Sequence, residues 1–211
     1  AVDTPVHINK ALRQHNYIQV RETLTWEMLD PGASRAFAVA DHQIAHVYVR
    51  NEKDISEVKA LLENTVGIEK VLAKTDKHDM HIDHQRAGDL IAIAEKGAWF
   101  TYYYWLDDKK APDFARTIDI HRKPGYDPAE MFMDPDIKLP MVKIAWRLLQ
   151  KKLGMRMLLD VIPLKPELIK GSHGRLPSSP DKGPLIIGPK RLSREKMQMH
   201  EMYELILEAF A

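Results

Sequence analysis

Ile8, Ala11, Leu12 and His15 recur at the spacing of one helical face, which predicts a short amphipathic helix ending near Asn16. An extended Tyr17-Ile18-Gln19-Val20 follows it. After the turn residues Pro31-Gly32, Ala36 to Ala40 is a short apolar run and Ile44 to Val49 alternates as a second strand. On that strand His46 and Tyr48 share a face with Ile44, whereas Ala45, Val47 and Val49 take the other. Asp54, with Glu57 three residues later, is the expected N-cap of a helix that shows Ile55, Val58, Leu61 and Leu62 on one face and runs to about Asn64. Residues 68 to 108 read as β, through Ile68 to Leu72, Leu90 to Ala94 and Trp99 to Trp105. Turn residues at Gly88-Asp89 and Lys96-Gly97 make an antiparallel hairpin the economical arrangement of the last two. Prolines punctuate residues 112 to 140, which predicts a surface loop. Val142, Ala145, Trp146, Leu149 and Leu153 predict a helix over 141–153, stopped by Gly154 at the C′ position. Leu185-Ile186-Ile187 has the composition of a buried strand, and Met199, Met202, Tyr203, Ile206 and Phe210 predict a terminal helix. The class is mixed α/β with a β-rich middle.

Composition narrows this picture by exclusion. The 211 residues suffice for one large domain or two small ones, and roughly 70% of the unfolded surface can be buried at this length. With 45% hydrophobic and 29% charged residues, disorder is excluded. The 31 basic and 30 acidic side chains nearly cancel, so no basic excess is available to track a nucleic-acid backbone, and no nucleic acid polymer is expected as partner. No stretch is long and apolar enough to span a bilayer. Ala1-Val2-Asp3 lacks the basic and then apolar start of a signal peptide, which a trimmed chain would have lost. The absence of cysteine excludes disulfides, thiolate metal sites and cysteine nucleophiles, and leaves the compartment open.

The ten histidines carry the chemical interest. His78-Asp79-Met80-His81-Ile82-Asp83-His84 offers imidazoles and carboxylates that zinc, manganese or iron accept; it is either a metal site or a solvated loop in which Asp83 or His84 stabilises a turn. Asp41 and His42 lie at the junction of two strands, either as functional groups or as a polar loop capping nearby amides. His173, between Gly171-Ser172 and Gly174, has backbone freedom on both sides; it is a candidate ligand or a staple for an irregular loop. The aromatic run Trp99 to Trp105 either stacks a ligand or, on alternate residues, fills a core. The constrained stretch Asp119 to Pro128 brings together His121, Arg122, Lys123 and Tyr126, as an anion-binding loop or as solvated surface.

Three segments together, and in order, resemble the type I phosphodiesterase and nucleotide pyrophosphatase family of the alkaline phosphatase superfamily. Val6-His7-Ile8-Asn9-Lys10-Ala11-Leu12-Arg13 resembles the strand end, asparagine and short helix that follow the family's metal-binding Asp-His-Gly loop. Arg86-Ala87-Gly88-Asp89-Leu90 is similar to its Arg-x-Gly-Asp-Leu turn, and Gly171-Ser172-His173-Gly174 to its late Gly-x-His-Gly motif. The resemblance implies the C-terminal portion of an alkaline-phosphatase-like three-layer core: a core segment over 1–50, a β-rich cap-like region over 51–135, and a return to the core over 136–211. It implies hydrolysis of a small phosphate or related ester by a threonine or serine nucleophile between two divalent metal ions, with zinc the expected metal.

Most of those ligands and the nucleophile precede the segment that Val6 to Arg13 resembles. The chain therefore reads as a fragment with no catalytic nucleophile, whose expected partner is the missing N-terminal half. Only His173 carries over, as a ligand of one metal. Asp41-His42 lacks the following glycine and stays unassigned. His121, Lys123 and Tyr126 fall where such enzymes cover the active site, which makes them candidate substrate-binding residues. The rival expectations are a non-catalytic binding or assembly module that uses the aromatic hairpin and the cationic loop, and an independent metal site at His78, His81 and His84.

Overall fold

The computed structural model describes residues 1–188 and 197–210, in two compact units, 1–175 and 176–211. The first unit is built on a four-stranded antiparallel sheet in the order β4 (Ala36–Asp41), β5 (Ile44–Val49), β7 (Leu90–Ala94), β6 (Ile68–Leu72). Alternation sorts β5 as expected, with Ala45, Val47 and Val49 buried and Ile44, His46 and Tyr48 half-buried. β7 has a neighbour on each side and is buried throughout, which is why Leu-Ile-Ala-Ile-Ala shows no polar alternation. Helix α1 (Ile8–Gln14) contacts β4, and α2 (Glu52–Glu63) contacts β6, β5 and β7. These helices bury Leu12, Val58 and Leu62 in the main core. Leu72, Ile91 and Ile93 form a second apolar cluster with Ile44, Ile82 and Ala87. The sheet thus draws two strands from the predicted core segment and two from the predicted cap-like region.

Asn51, not Asp54, precedes α2. Asp54 sits inside the first turn, buried, because its carboxylate takes both Arg35 Nη2 (2.7 Å) and Nε (3.2 Å). The expected hairpin between Leu90–Ala94 and Trp99–Trp105 does not form. Both edges of β7 are taken by β5 and β6, so β8 (Ala98–Phe100) turns away at Gly97, where φ is +92°, and pairs in parallel with β1 (Thr4–Val6). Beyond Phe100 the chain leaves the strand, yet all six aromatic rings from Trp99 to Trp105 are at most 2% exposed. Each ring covers roughly 150–250 Å², on the order of 4–6 kcal/mol of gross burial energy at about 25 cal/mol per Å². The aromatic run is core, not a binding surface. A small antiparallel ribbon, β2 (Val20–Thr23) with β3 (Trp26–Leu29), is fastened beside it: Glu27 pairs with Arg13, and its carbonyl accepts from Tyr104 Oη.

The outer edge of β4 is covered in three places. Ala36 N–H donates to the Tyr17 carbonyl, buried Asn9 makes a reciprocal pair with Ala38 (2.8 Å each way), and Tyr126 N–H donates to the Ala40 carbonyl (2.8 Å). An edge that would otherwise expose unpaired amides is closed. The Arg86 to Leu90 turn is equally constrained: a Cβ at Gly88 would lie 2.6 Å from Val47 N, and Asp89 accepts from Val49 N–H at 2.7 Å.

Residues 112–140, expected as surface loop, are partly buried. Short 3₁₀ turns at Asp113–Arg116 and Pro128–Met131 place Phe114 and Ala115 in the main core and Ala129 against Val161 and Ile162, with Thr117, Lys123 and Asp127 buried as well. Helix α4 (Pro140–Lys152) forms with Gly154 at positive φ after it, but buries none of its residues. Lys143 and Arg147 hold it through Asp160, while Val142, Trp146, Leu149 and Leu153 stay exposed. The His78 region is also more ordered than a loop, since α3 (Lys74–Asp79) carries His78 in its last turn.

In the second unit, Gln198 and Glu201 exchange capping hydrogen bonds ahead of α5 (Met202–Phe210). Leu185 to Ile187 is not a buried strand: no described strand pairs with it, and its side chains are 81%, 45% and 89% exposed. Among the described residues no helix is long and apolar enough to cross a membrane.

Candidate metal site

The turn between β4 and β5 is two residues long, His42 and Gln43, and both are buried. His42 adopts φ +54°, a left-handed conformation that a non-glycine residue holds only when its surroundings fix it. Here they do. Phe100 N–H donates to the His42 carbonyl (2.7 Å), Ala94 N–H to the Gln43 carbonyl (2.9 Å), and the Gln43 amide to the Ala98 carbonyl (2.9 Å).

The Gly171 to Gly174 segment lies directly on this turn. Gln43 N–H donates to the His173 carbonyl at 2.8 Å, and Ser172 Oγ lies 3.0 Å from His42 Nδ1. Gly174 has φ +102°, and a Cβ there would reach Ile44 Cγ2 at 3.2 Å, so glycine serves both conformation and clearance. Arg175 Nε then donates to Glu69 Oε2 on β6 (2.7 Å). The His42 ring consequently has two ring neighbours, His173 at 4.0 Å between centroids and Tyr126 at 5.1 Å. Tyr126 is held there by Gly125, which touches the β4 backbone so closely that a Cβ would sit 2.0 Å from the Ala40 oxygen.

Asp41, His42 and His173 each offer a ligand atom, all within 4.8 Å of one another, with His42 buried and the other two exposed. Burial, then the neighbouring His173, hold the His42 imidazole below its ordinary pKa, against a smaller opposite pull from Asp41. It is therefore neutral, with a lone pair to give, at neutral pH. Two imidazoles and a carboxylate form a donor set that zinc, manganese or iron accepts, so the residues present fit such an ion.

The other candidates lie elsewhere. His78 Nδ1 pairs with Asp83 at 2.7 Å and His84 Nδ1 accepts from Arg86 N–H, the turn-stabilising role. Among the described residues the group of Asp41, His42 and His173 is the one that brings three donors together, and it includes none of His78, His81 and His84. Lys123, expected to meet substrate, is buried: its ammonium binds Asp127 Oδ2 (3.0 Å), Glu130 and the Thr117 carbonyl (3.0 Å). Burial raises the pKa of Asp127 despite that partner. His121 is exposed in the preceding turn, and Tyr126 is 41% exposed against His42. A separate cleft of about 370 Å³ is lined by Trp26, Arg116, Arg147 and Arg156 among others, each arginine paired with a carboxylate, and by none of the three donors. Sequence reasoning named Asp41 and His42 but did not join them to His173.

Comparison with known proteins gives the following. No curated protein matches the chain. Solved structures of phosphonoacetate hydrolase from Sinorhizobium meliloti 1021 match it at 18% identity over 46% of its length, in complex with phosphonoacetate (TM-score 0.32) and with phosphonoformate (TM-score 0.33). The chain spans 23% of each of those proteins. Residues 1–127 match the sequence family of type I phosphodiesterase / nucleotide pyrophosphatase. That match takes in more than half of the sequence, and the chain belongs to the type I phosphodiesterase / nucleotide pyrophosphatase family.

Proposed function

We propose that the chain is the C-terminal part of a metal-dependent hydrolase of phosphate or related esters, with the nucleophile on polypeptide outside these residues. In this reading, residues 51–135 are the β-rich cap-like region, which shares its four-stranded sheet with the core segment 1–50, and residues 136–211 are the chain's return towards the core. His173 binds one of two divalent ions, zinc being the expected metal, and a bound ion supplies Lewis-acid polarisation of a phosphoryl oxygen. The chain's own contribution is positional. The Gly171 to Gly174 loop presents the His173 imidazole beside the β4–β5 turn. Tyr126 offers a half-exposed ring next to it, and His121 a second exposed polar group, for the substrate's organic part.

The observation that carries this reading is the convergence of Asp41, His42 and His173 in a chain of this family. The test is elemental analysis paired with hydrolysis of bis(p-nitrophenyl) phosphate by the complete protein. His173→Ala is expected to lower metal content and turnover together; unchanged metal stoichiometry overturns the role of His173. The 211 residues alone are expected to give no metal-dependent turnover.

A further inference from the structure

We propose that helix α4, with the lysines at its two ends, docks this protein on an anionic lipid surface, lying in the plane of the headgroups. Adsorption of this kind needs no hydrolysis and is independent of the reading above.

The helix is turned outward. It runs for 13 residues, about 20 Å at 1.5 Å per residue, and none of them is buried. Lys143, Ile144, Arg147 and Gln150 are half-buried on its inner side, where Lys143 and Arg147 reach Asp160. On the outer side Met141, Val142, Trp146, Leu148 and Leu149, followed by Leu153 just past the helix, are 44% to 70% exposed. A continuous apolar stripe on a soluble surface marks a place that something covers. The helix is too short to cross hydrocarbon, which takes about 20 residues, so a lipid partner would be met along its length.

Charge says what the cover is. The chain is close to neutral at +1, yet the stretch from 137 to 159 holds six cations, Lys138, Lys143, Arg147, Lys151, Lys152 and Arg156, and no carboxylate. Three of the six are engaged by Asp160 and Asp113. The remaining three, Lys138, Lys151 and Lys152, are exposed and have no carboxylate partner among the described residues. They bracket the apolar stripe, one before its start and two at its end. At an anionic bilayer the aliphatic side chains enter the acyl boundary, the Trp146 indole sits at headgroup depth and the ammonium groups meet lipid phosphates. A second copy of the chain fits less well. A two-fold contact would set these cations against their own copies, with no acid in the stretch to answer them. Protein interfaces are also depleted in lysine, the residue type of all three free cations.

The test is sedimentation of the 211-residue chain, and of the complete protein, with phosphatidylcholine vesicles that contain about one-quarter phosphatidylserine, against phosphatidylcholine alone. Both proteins are expected to bind the anionic vesicles at low salt, and to release them as salt is raised. Each free lysine near such a surface adds on the order of fivefold, so Lys138→Gln, Lys151→Gln and Lys152→Gln together should weaken binding about 100-fold. Trp146→Ser should weaken it about tenfold. Trp146→Phe should keep binding but remove most of the fluorescence blue shift, since Trp99 and Trp105 already lie in the core. Lys53→Gln, an exposed lysine on α2, should change nothing. All these side chains are exposed, and circular dichroism checks that each variant folds. Vesicle binding that is absent, that is equal on phosphatidylcholine alone, or that survives the triple lysine substitution overturns the proposal. A concentration-dependent dimer that Trp146→Ser abolishes assigns the face to a second copy and overturns it too. Binding by the 211-residue chain that the complete protein lacks does the same, by assigning the face to the rest of the polypeptide.

Discussion

Two stretches rich in large apolar side chains meet opposite fates in this chain. Trp99 to Trp105 is enclosed on every side, while α4 presents Val142, Trp146 and Leu149 to solvent. Apolar content does not separate them; the means of anchoring does. The aromatic run continues β8, whose backbone is tied to β1 and, through Phe100, to the His42 turn, so its side chains fall inside whether or not strand alternation continues. Helix α4 is held mainly by charge, Lys143 and Arg147 both reaching Asp160, with Ile144 alone packing on the Ala129, Val161 and Ile162 cluster, which leaves its apolar stripe outward. A helical hydrophobic stripe thus predicts a helix here without predicting what it buries.

The largest effect should come from breaking the enclosed region where it is polar. Lys123→Met leaves Asp127 and Glu130 buried around a missing cation and is expected to cost about 3–5 kcal/mol, read by urea denaturation. A loss below 1 kcal/mol would mean that water reaches this centre. Trp105→Ala should cost about 3–5 kcal/mol by cavity formation, and Trp146→Ser on α4 less than about 0.5 kcal/mol in the same assay. Equal losses for the two tryptophans would erase the contrast drawn above.

Acid should find the enclosed region through His7, which shares a 2.7 Å hydrogen bond with Thr101. Burial, with a smaller push from Lys10, drives its pKa down from 6.5 to about 4. Between those values the unfolded chain binds the proton and the folded chain does not, so stability falls as pH drops from 6.5 towards 4. At about 1.4 kcal/mol per pH unit the loss approaches roughly 3 kcal/mol, and His7→Gln should flatten that part of the profile. A more local effect is expected at Gly125. Gly125→Ala forces a methyl against the Ala40 carbonyl and should cost roughly 1–3 kcal/mol, with Tyr126 fluorescence reporting its release from His42.

Local patterns in the sequence reached the helices at Ile8 and Glu52 and the strands at Ala36, Ile44, Ile68 and Leu90, because each declares itself within one period of its own side chains. What they could not convey was pairing. Nothing near Trp99 says that β7 is already flanked on both sides, and nothing near Leu185 says that no described strand lies alongside it. Lys123 reads as a surface cation until the carboxylates of Asp127 and Glu130 are seen folded over it. The candidate site is the same case at longer range. Asp41-His42 and Gly171-Ser172-His173-Gly174 each stand out, yet no periodicity encodes the register that lays one on the other.

Gly125 gives the Pro124-Gly125-Tyr126 segment no clearance from β4, and this ties the fortunes of two parts of the molecule together. Most surface loops can drift in sequence without disturbing the groups beneath them. This one cannot, because a single added carbon would pry a tyrosine away from an imidazole that itself rests on another. Changes at this position should therefore shift Tyr126 and the His42–His173 pair together, and descendants of this sequence would find it hard to move one alone.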